Sequence, residues 1–212
     1  MSAIQIYNAN PLVKSNPIEL EYLLPEQVNA LTQVFQDWYD TKTKKAQRVN
    51  RGRYWLTFLV LRYTGARIGE VLLIDDSIDI DFRNAEIRLI TLKRHNKRKK
   101  NATRIVPVPE KVISEIATYL AEYPKMRGKV FKIYQSNFRR KFYELAEKAG
   151  IPKNLAHPHI LRHTRAIELL RAGVPVTVVQ DLLGHSALTT TAIYLRISGQ
   201  EAKGILREKG LI

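Results

Sequence analysis

Ten consecutive residues, Tyr54 to Tyr63 (YWLTFLVLRY), are apolar nearly all the way round when wound as a helix. Such a helix has no face to offer water, so it reads as a buried core helix. Upstream, Pro25 stands at a first helical position. The run EQVNALTQVFQDWYD behind it sets Val28, Leu31, Val34, Phe35 and Trp38 on one side of an amphipathic helix. The basic stretch between these two, residues 42–53, reads as a loop or a helix start. Gly65 ends the buried helix, and a second short helix begins around Arg67.

Between Ser77 and Val108 the period changes. SIDIDF and EIRLITL alternate apolar and polar residues, and TRIVPVP is a third short strand. The second turn of this sheet is a long basic tip, residues 93–103. Helical patterns resume over 109–123, 135–149, 159–172, 175–183 and 187–196. Gly150, Gly173 and Gly184 fall where helices end, and Pro152 and Pro175 discourage read-through. The expected fold is mainly α with a small three-stranded antiparallel sheet. A polar leader (1–24) precedes a domain over 25–196, and a tail follows (197–212). With 212 residues the chain is long enough for one well-filled domain.

Cysteine is absent, which rules out a disulfide framework and a thiolate metal site and fits a reducing cytoplasm. No apolar run approaches the roughly 20 residues of a membrane span, and the N-terminus lacks the order of a signal peptide. A cytoplasmic, soluble protein with no membrane partner is expected. The charge says more. Lys and Arg outnumber Asp and Glu by 35 to 20, a net charge of +15, which points to a polyanion, most often nucleic acid, or to a solubilising surface. The cations are segregated. Residues 42–53 carry six and no acid, residues 93–104 seven and no acid, and residues 125–141 seven more, while Asp75, Asp76, Asp79 and Asp81 gather elsewhere. Blocks of this kind suit a groove that tracks a phosphate backbone. Candidate DNA contacts are Lys44, Lys45, Arg48 and Arg51 in the first block, Lys97, Arg98, Lys99 and Lys100 in the second, and Arg139 and Arg140 in the third.

Chemistry-bearing residues follow in order: TGARIGE (Thr64–Glu70), a lysine in the basic hairpin (Lys93), HPHILRH (His157–His163), LLGH (Leu182–His185) and TTTAIY (Thr189–Tyr194). Phosphodiester transfer needs preorganised cations for the charge that builds on the non-bridging oxygens. Forked, permanently charged arginine suits that task. It also needs a proton donor for the leaving oxygen and a nucleophile that can be regenerated. A protein hydroxyl as nucleophile keeps the bond energy in a covalent link. The chain has no Walker loop and no acidic cluster with metal-site spacing, so chemistry without metal, ATP or other cofactor fits better.

This order, TGxRxxE, hairpin Lys, HxLRH, LxxLGH, then a Tyr nine residues after that His, resembles the tyrosine recombinase (phage integrase) family over roughly residues 25–200. The resemblance implies a recombinase that cleaves and rejoins DNA strands at specific sites through a 3′-phosphotyrosine. Arg67 and Arg162 resemble the two arginines that grip the scissile phosphate, and His159 would hydrogen-bond it and act as acid or base. His185 would contact a non-bridging oxygen, Lys93 would protonate the departing 5′ oxygen, and Tyr194 would attack. Glu70 would orient its neighbours. The partners so implied are double-stranded DNA and further copies of the chain, as a dimer or tetramer at the nucleoid, with the tail docking on a neighbouring protomer or folding back in cis.

Plainer readings stand beside these. Arg67 and Glu70, three apart on a helix, also suit a surface ion pair. Lys97, Lys99 and Lys100 share the loop of Lys93 and could serve in its place. His159 and His163 have the spacing of a two-histidine zinc site but lack its glutamate, and His157 and His163 read as buried or capping residues. Many family members carry a separate DNA-binding domain ahead of the catalytic one. Only 24 residues precede the first helix here, as in a minimal recombinase or a fragment of something longer. A relaxase like the type IB topoisomerases and a DNA-binding factor without catalysis remain as other readings.

Overall fold

A computed structural model describes residues 3–4, 20–41, 43–91, 102–184, 207 and 210. These form a mainly helical domain with a small antiparallel sheet, as anticipated. Helices α1 (Pro25–Asp40), α2 (Lys45–Thr64) and α3 (Ile68–Val71) come first among the helices. Strands β3 (Ile80–Asp81), β4 (Glu86–Ile90) and β5 (Thr103–Pro107) make the sheet, in the order β3-β4-β5. Helices α4 (Glu110–Glu122), α5 (Gln135–Lys148), α6 (Ile160–Arg171) and α7 (Val176–Leu183) follow. Near the N-terminus β1 (Ala3–Ile4) pairs antiparallel with β2 (Leu20–Glu21).

Helix α2 is the axis of the core. Every residue from Tyr54 to Leu61 is buried, and α1, α4 and α6 pack around it. Phe58 stacks on Phe35 of α1 with ring centroids 4.1 Å apart, and Tyr54 stacks on Phe138 of α5 at 5.9 Å. Each fully buried side chain of this size is worth about 1.5–3 kcal/mol, which is why so apolar a run sets the middle of the molecule. The helix starts at Lys45, so of the two readings of the basic stretch the helix start is the one found, with residues 45–53 helical. Its arginines fold back onto the protein. Arg51 Nη1 donates to the Trp38 carbonyl at 2.9 Å, at the end of α1. Arg53 Nε donates to the Val130 carbonyl at 3.1 Å, and its Nη2 donates to the carbonyls of Lys129 and Lys132.

The first sheet strand is shorter than the alternation of SIDIDF suggests, with only Ile80 and Asp81 paired. The acidic side chains bend the chain ahead of it. Asp79 Oδ2 accepts from the Asp75 amide at 2.9 Å, and Asp75 Oδ1 accepts from the Ser77 amide at 3.1 Å. Carboxylates that bond their own backbone favour turns over ladders. Packed structure also begins ahead of Pro25. Tyr22 and Leu23 are buried, and the Leu23 amide donates to Thr164 Oγ1 of α6 at 3.0 Å. The glycines expected at helix ends, Gly150, Gly173 and Gly184, have φ of 71°, 80° and 67°.

Candidate active site

The turn that ends α2 assembles the site. Gly65 closes the helix in the left-handed region with φ 62°, where a side chain costs about 1–2 kcal/mol. A Cβ there would also stand 2.5 Å from Leu183 Cδ2, so α7 approaches the turn as closely as a glycine permits. The turn directs the Gly65 carbonyl at α6, where Arg162 Nη1 donates to it at 2.9 Å. Arg162 lies in the first turn of α6 and is 2 % exposed. Arg67 follows Gly65 by two residues and enters α3 with its side chain 38 % exposed. Two arginines 95 residues apart in sequence thus meet at one turn.

Glu70 anchors Arg67 from below. It is completely buried, so its pairing with Arg67 is not a surface ion pair. Its Oε1 accepts from Arg67 Nη1 at 3.0 Å, and its Oε2 accepts from the Arg67 amide at 3.0 Å and from Arg104 Nη2 at 2.6 Å. Burial pushes this carboxyl up, but the hydrogen bond and charge of Arg104, followed by the bonds from Arg67, hold it below the usual carboxylate range. It stays ionised and acts only as an acceptor.

His159 immediately precedes α6, and its ring meets that of His163 edge-on, with centroids 4.8 Å apart. Part of His159 remains open to solvent. Protein crowded around the ring, then the positive charge of His163, Arg162, His157 and Arg67, lowers its pKa to about 4. Burial and the charges of His157 and Arg162 lower His163 to about 4 as well. Both imidazoles are therefore neutral at pH 7, and His159 can accept a proton or a hydrogen bond there. The unfolded value is 6.5, so the unfolded chain binds more protons between 6.5 and 4. The stabilising contribution is complete above pH 6.5 and is lost as pH falls toward 4. Thermal midpoints should fall between pH 6.5 and 5, before most carboxylates titrate. A His159→Gln/His163→Gln variant should show a flatter profile, and equal slopes in parent and variant would refute the assignment. Among the described residues no group of three or more His, Asp or Glu side chains is placed to hold a metal.

Arg67, Glu70, His159 and Arg162 are thus brought together. Lys93, Lys97, Arg98, Lys99, Lys100, His185 and Tyr194 lie outside the described residues. Lys44 and Lys45 are exposed where α2 begins, and Arg139 and Arg140 are exposed on α5. Arg48 lies 3.9 Å from Glu122 and over the Tyr39 ring, and Arg51 holds the end of α1, so both are engaged within the chain. Sequence reasoning missed Arg104. A signal was there: in TRIVPVP the residue is in phase with Val106 and Val108, both buried, so its charge had to find a buried partner.

Comparison with known proteins decides the lineage. The model of the phage integrase family matches residues 21–201. The chain belongs to the phage integrase family. Within it, the chain is 34% identical over 187 residues to a tyrosine recombinase of Thermosipho africanus (strain TCF52B), covering 85% of this chain and 59% of that protein. The crystal structure of XerA recombinase superposes with a TM-score of 0.68 at 26% identity, over 89% of this chain and 65% of that one. The XerH site-specific recombinase bound to its difH substrate shares the fold, with a TM-score of 0.64 at 21% identity, over 87% of this chain and 52% of that one. The chain spans 54 to 59% of the length of the first curated relatives it matches. Among the described residues no helix is long and apolar enough to cross a membrane.

Proposed function

We propose that this phage integrase family chain is the catalytic part of a site-specific DNA recombinase working through a 3′-phosphotyrosine, without metal or ATP. The observation that carries this reading is the convergence of Arg67 and Arg162 on the Gly65 turn, with neutral His159 beside them. Two fixed guanidinium groups at one point suit a single phosphodiester and the charge that grows on it during transfer. In the proposed step the Tyr194 hydroxyl oxygen attacks phosphorus and passes its proton to His159. The bond from phosphorus to O5′ breaks, and O5′ takes a proton from Lys93. His185 hydrogen-bonds a non-bridging oxygen. Rejoining reverses these transfers with the 5′ hydroxyl of the partner strand as nucleophile. Lys44, Lys45, Arg139, Arg140 and the cations Lys97, Arg98, Lys99 and Lys100 are the proposed contacts to flanking phosphates, whereas Arg48 and Arg51 are spent on partners within the chain. Strand exchange needs paired active sites, so a dimer or tetramer on DNA at the nucleoid is part of the proposal. The named activities of the relatives support this reading.

The test is to incubate the protein with fragmented genomic DNA, quench in SDS, and sequence the DNA that stays attached to protein, with Tyr194→Phe in parallel. Attachment clustered at one sequence with the parent, and none with the variant, is expected. Scattered attachment that depends on Tyr194 would instead mark a relaxase. No attachment from the parent would refute phosphotyrosine chemistry in this chain.

A further inference from the structure

Arg104 sits on β5 with its side chain 9 % exposed, and its guanidinium holds three separate stretches of chain. Nε donates to the Leu182 carbonyl at 2.8 Å, in the last turn of α7. Nη1 donates to Thr91 Oγ1 at 2.8 Å, just past β4. Nη2 donates to Glu70 Oε2 at 2.6 Å, and the other oxygen of Glu70 holds Arg67. Gly184 closes onto the same group. With φ 67°, a Cβ there would stand 2.8 Å from Arg104 Nη1. A planar guanidinium with its donors in a fixed fork sets distances and angles among several acceptors at once. A single ammonium nitrogen does not.

We propose that Arg104 is a positioning residue of the strand-transfer reaction. It sets Arg67, through Glu70, against the two points from which the chain continues toward Lys93 and toward His185, namely Thr91 and Leu182. Arg104 touches no reacting atom in this scheme. It fixes Thr91, two residues ahead of Lys93 in sequence, relative to the group that grips the phosphate. The inference rests on the proposed function above, because it presumes that O5′ leaves with a proton.

The experiment compares parent, Arg104→Lys and Thr91→Val on a synthetic duplex carrying the sequence recovered with the parent adducts. A second duplex has sulfur in place of the bridging O5′, and its thiolate departs without needing an acid. Arg104→Lys should bind the duplex within about threefold of the parent and form the adduct about 100-fold more slowly, the scale of a small misplacement in a fixed site. On the sulfur duplex that deficit should shrink about tenfold or more, since one misplaced group no longer matters. Thr91→Val removes one acceptor and no charge, so it decides the matter if Arg104→Lys does not fold. Its smaller deficit should also shrink on sulfur. Cleavage near the parent rate, a deficit confined to binding, or an equal deficit on both duplexes overturns the inference alone. A parent that forms no adduct overturns the reaction scheme and this inference with it.

Discussion

Arg162→Lys is expected to slow formation of the covalent adduct by about 10³-fold or more while leaving the fold and DNA binding largely intact. Lysine keeps the charge, so attraction of the phosphate survives. What it lacks is the fork: Arg162 is oriented by its bond from Nη1 to the Gly65 carbonyl, and a guanidinium presents its donors in a fixed plane that an ammonium does not have. Removing one aligned donor from a preorganised oxyanion site costs about 10²–10³ in rate, and arginines that meet phosphoryl charge are worth about 10³–10⁵. A side chain 2 % exposed acts without competition from water, which favours the upper part of that range. Single-turnover adduct formation in SDS, with circular dichroism and filter binding as controls, is the measurement. A lysine variant that cleaves within tenfold of the parent would show that charge alone suffices.

Glu70→Ala is expected to lower stability by about 3–5 kcal/mol, the usual cost of stranding one member of a buried ion pair. Arg104 would lose the bond from Nη2 while its side chain stays only 9 % exposed, and Arg67 would lose the acceptor of its Nη1. For a domain of this size the thermal midpoint should drop by roughly 10 °C. Adding Arg104→Met should recover part of that loss, because replacing both charges by apolar volume is often nearly neutral. Adduct formation should not recover with it. A double variant no more stable than Glu70→Ala would mean that Arg104 contributes through its bonds to Leu182 and Thr91 rather than through the ion pair.

Periodicity made the frame legible. The run Tyr54–Leu61 could only be the middle of a core, and α1, α4 and α5 followed from apolar spacing on one face. Arg67, Glu70, His159 and Arg162 were singled out by the likeness of the ordered motifs to those of the family, since each residue alone also suited a plainer reading. Side-chain bonds to distant carbonyls were not legible. Nothing local announces that Arg51 closes α1 or that Arg53 ties down residues 129–132, since their acceptors are backbone atoms without a side-chain signature. The shortened β3 was missed because alternation looks the same whether aspartates face water or bond their own backbone. Arg104 lay hidden in a block of cations, although its phase with Val106 set it apart.

The engaged arginines of α2 change what the charge of the chain is worth to a polyanion. Of the six cations in residues 42–53, Arg51 and Arg53 donate to backbone carbonyls and Arg48 lies between Glu122 and the Tyr39 ring. A guanidinium committed in that way displaces few counterions when DNA arrives, and displaced counterions supply most of the salt-sensitive affinity. Half of this block therefore stiffens the scaffold. The ionic response of the protein then depends on how its cations are spent, and a net charge of +15 overstates it.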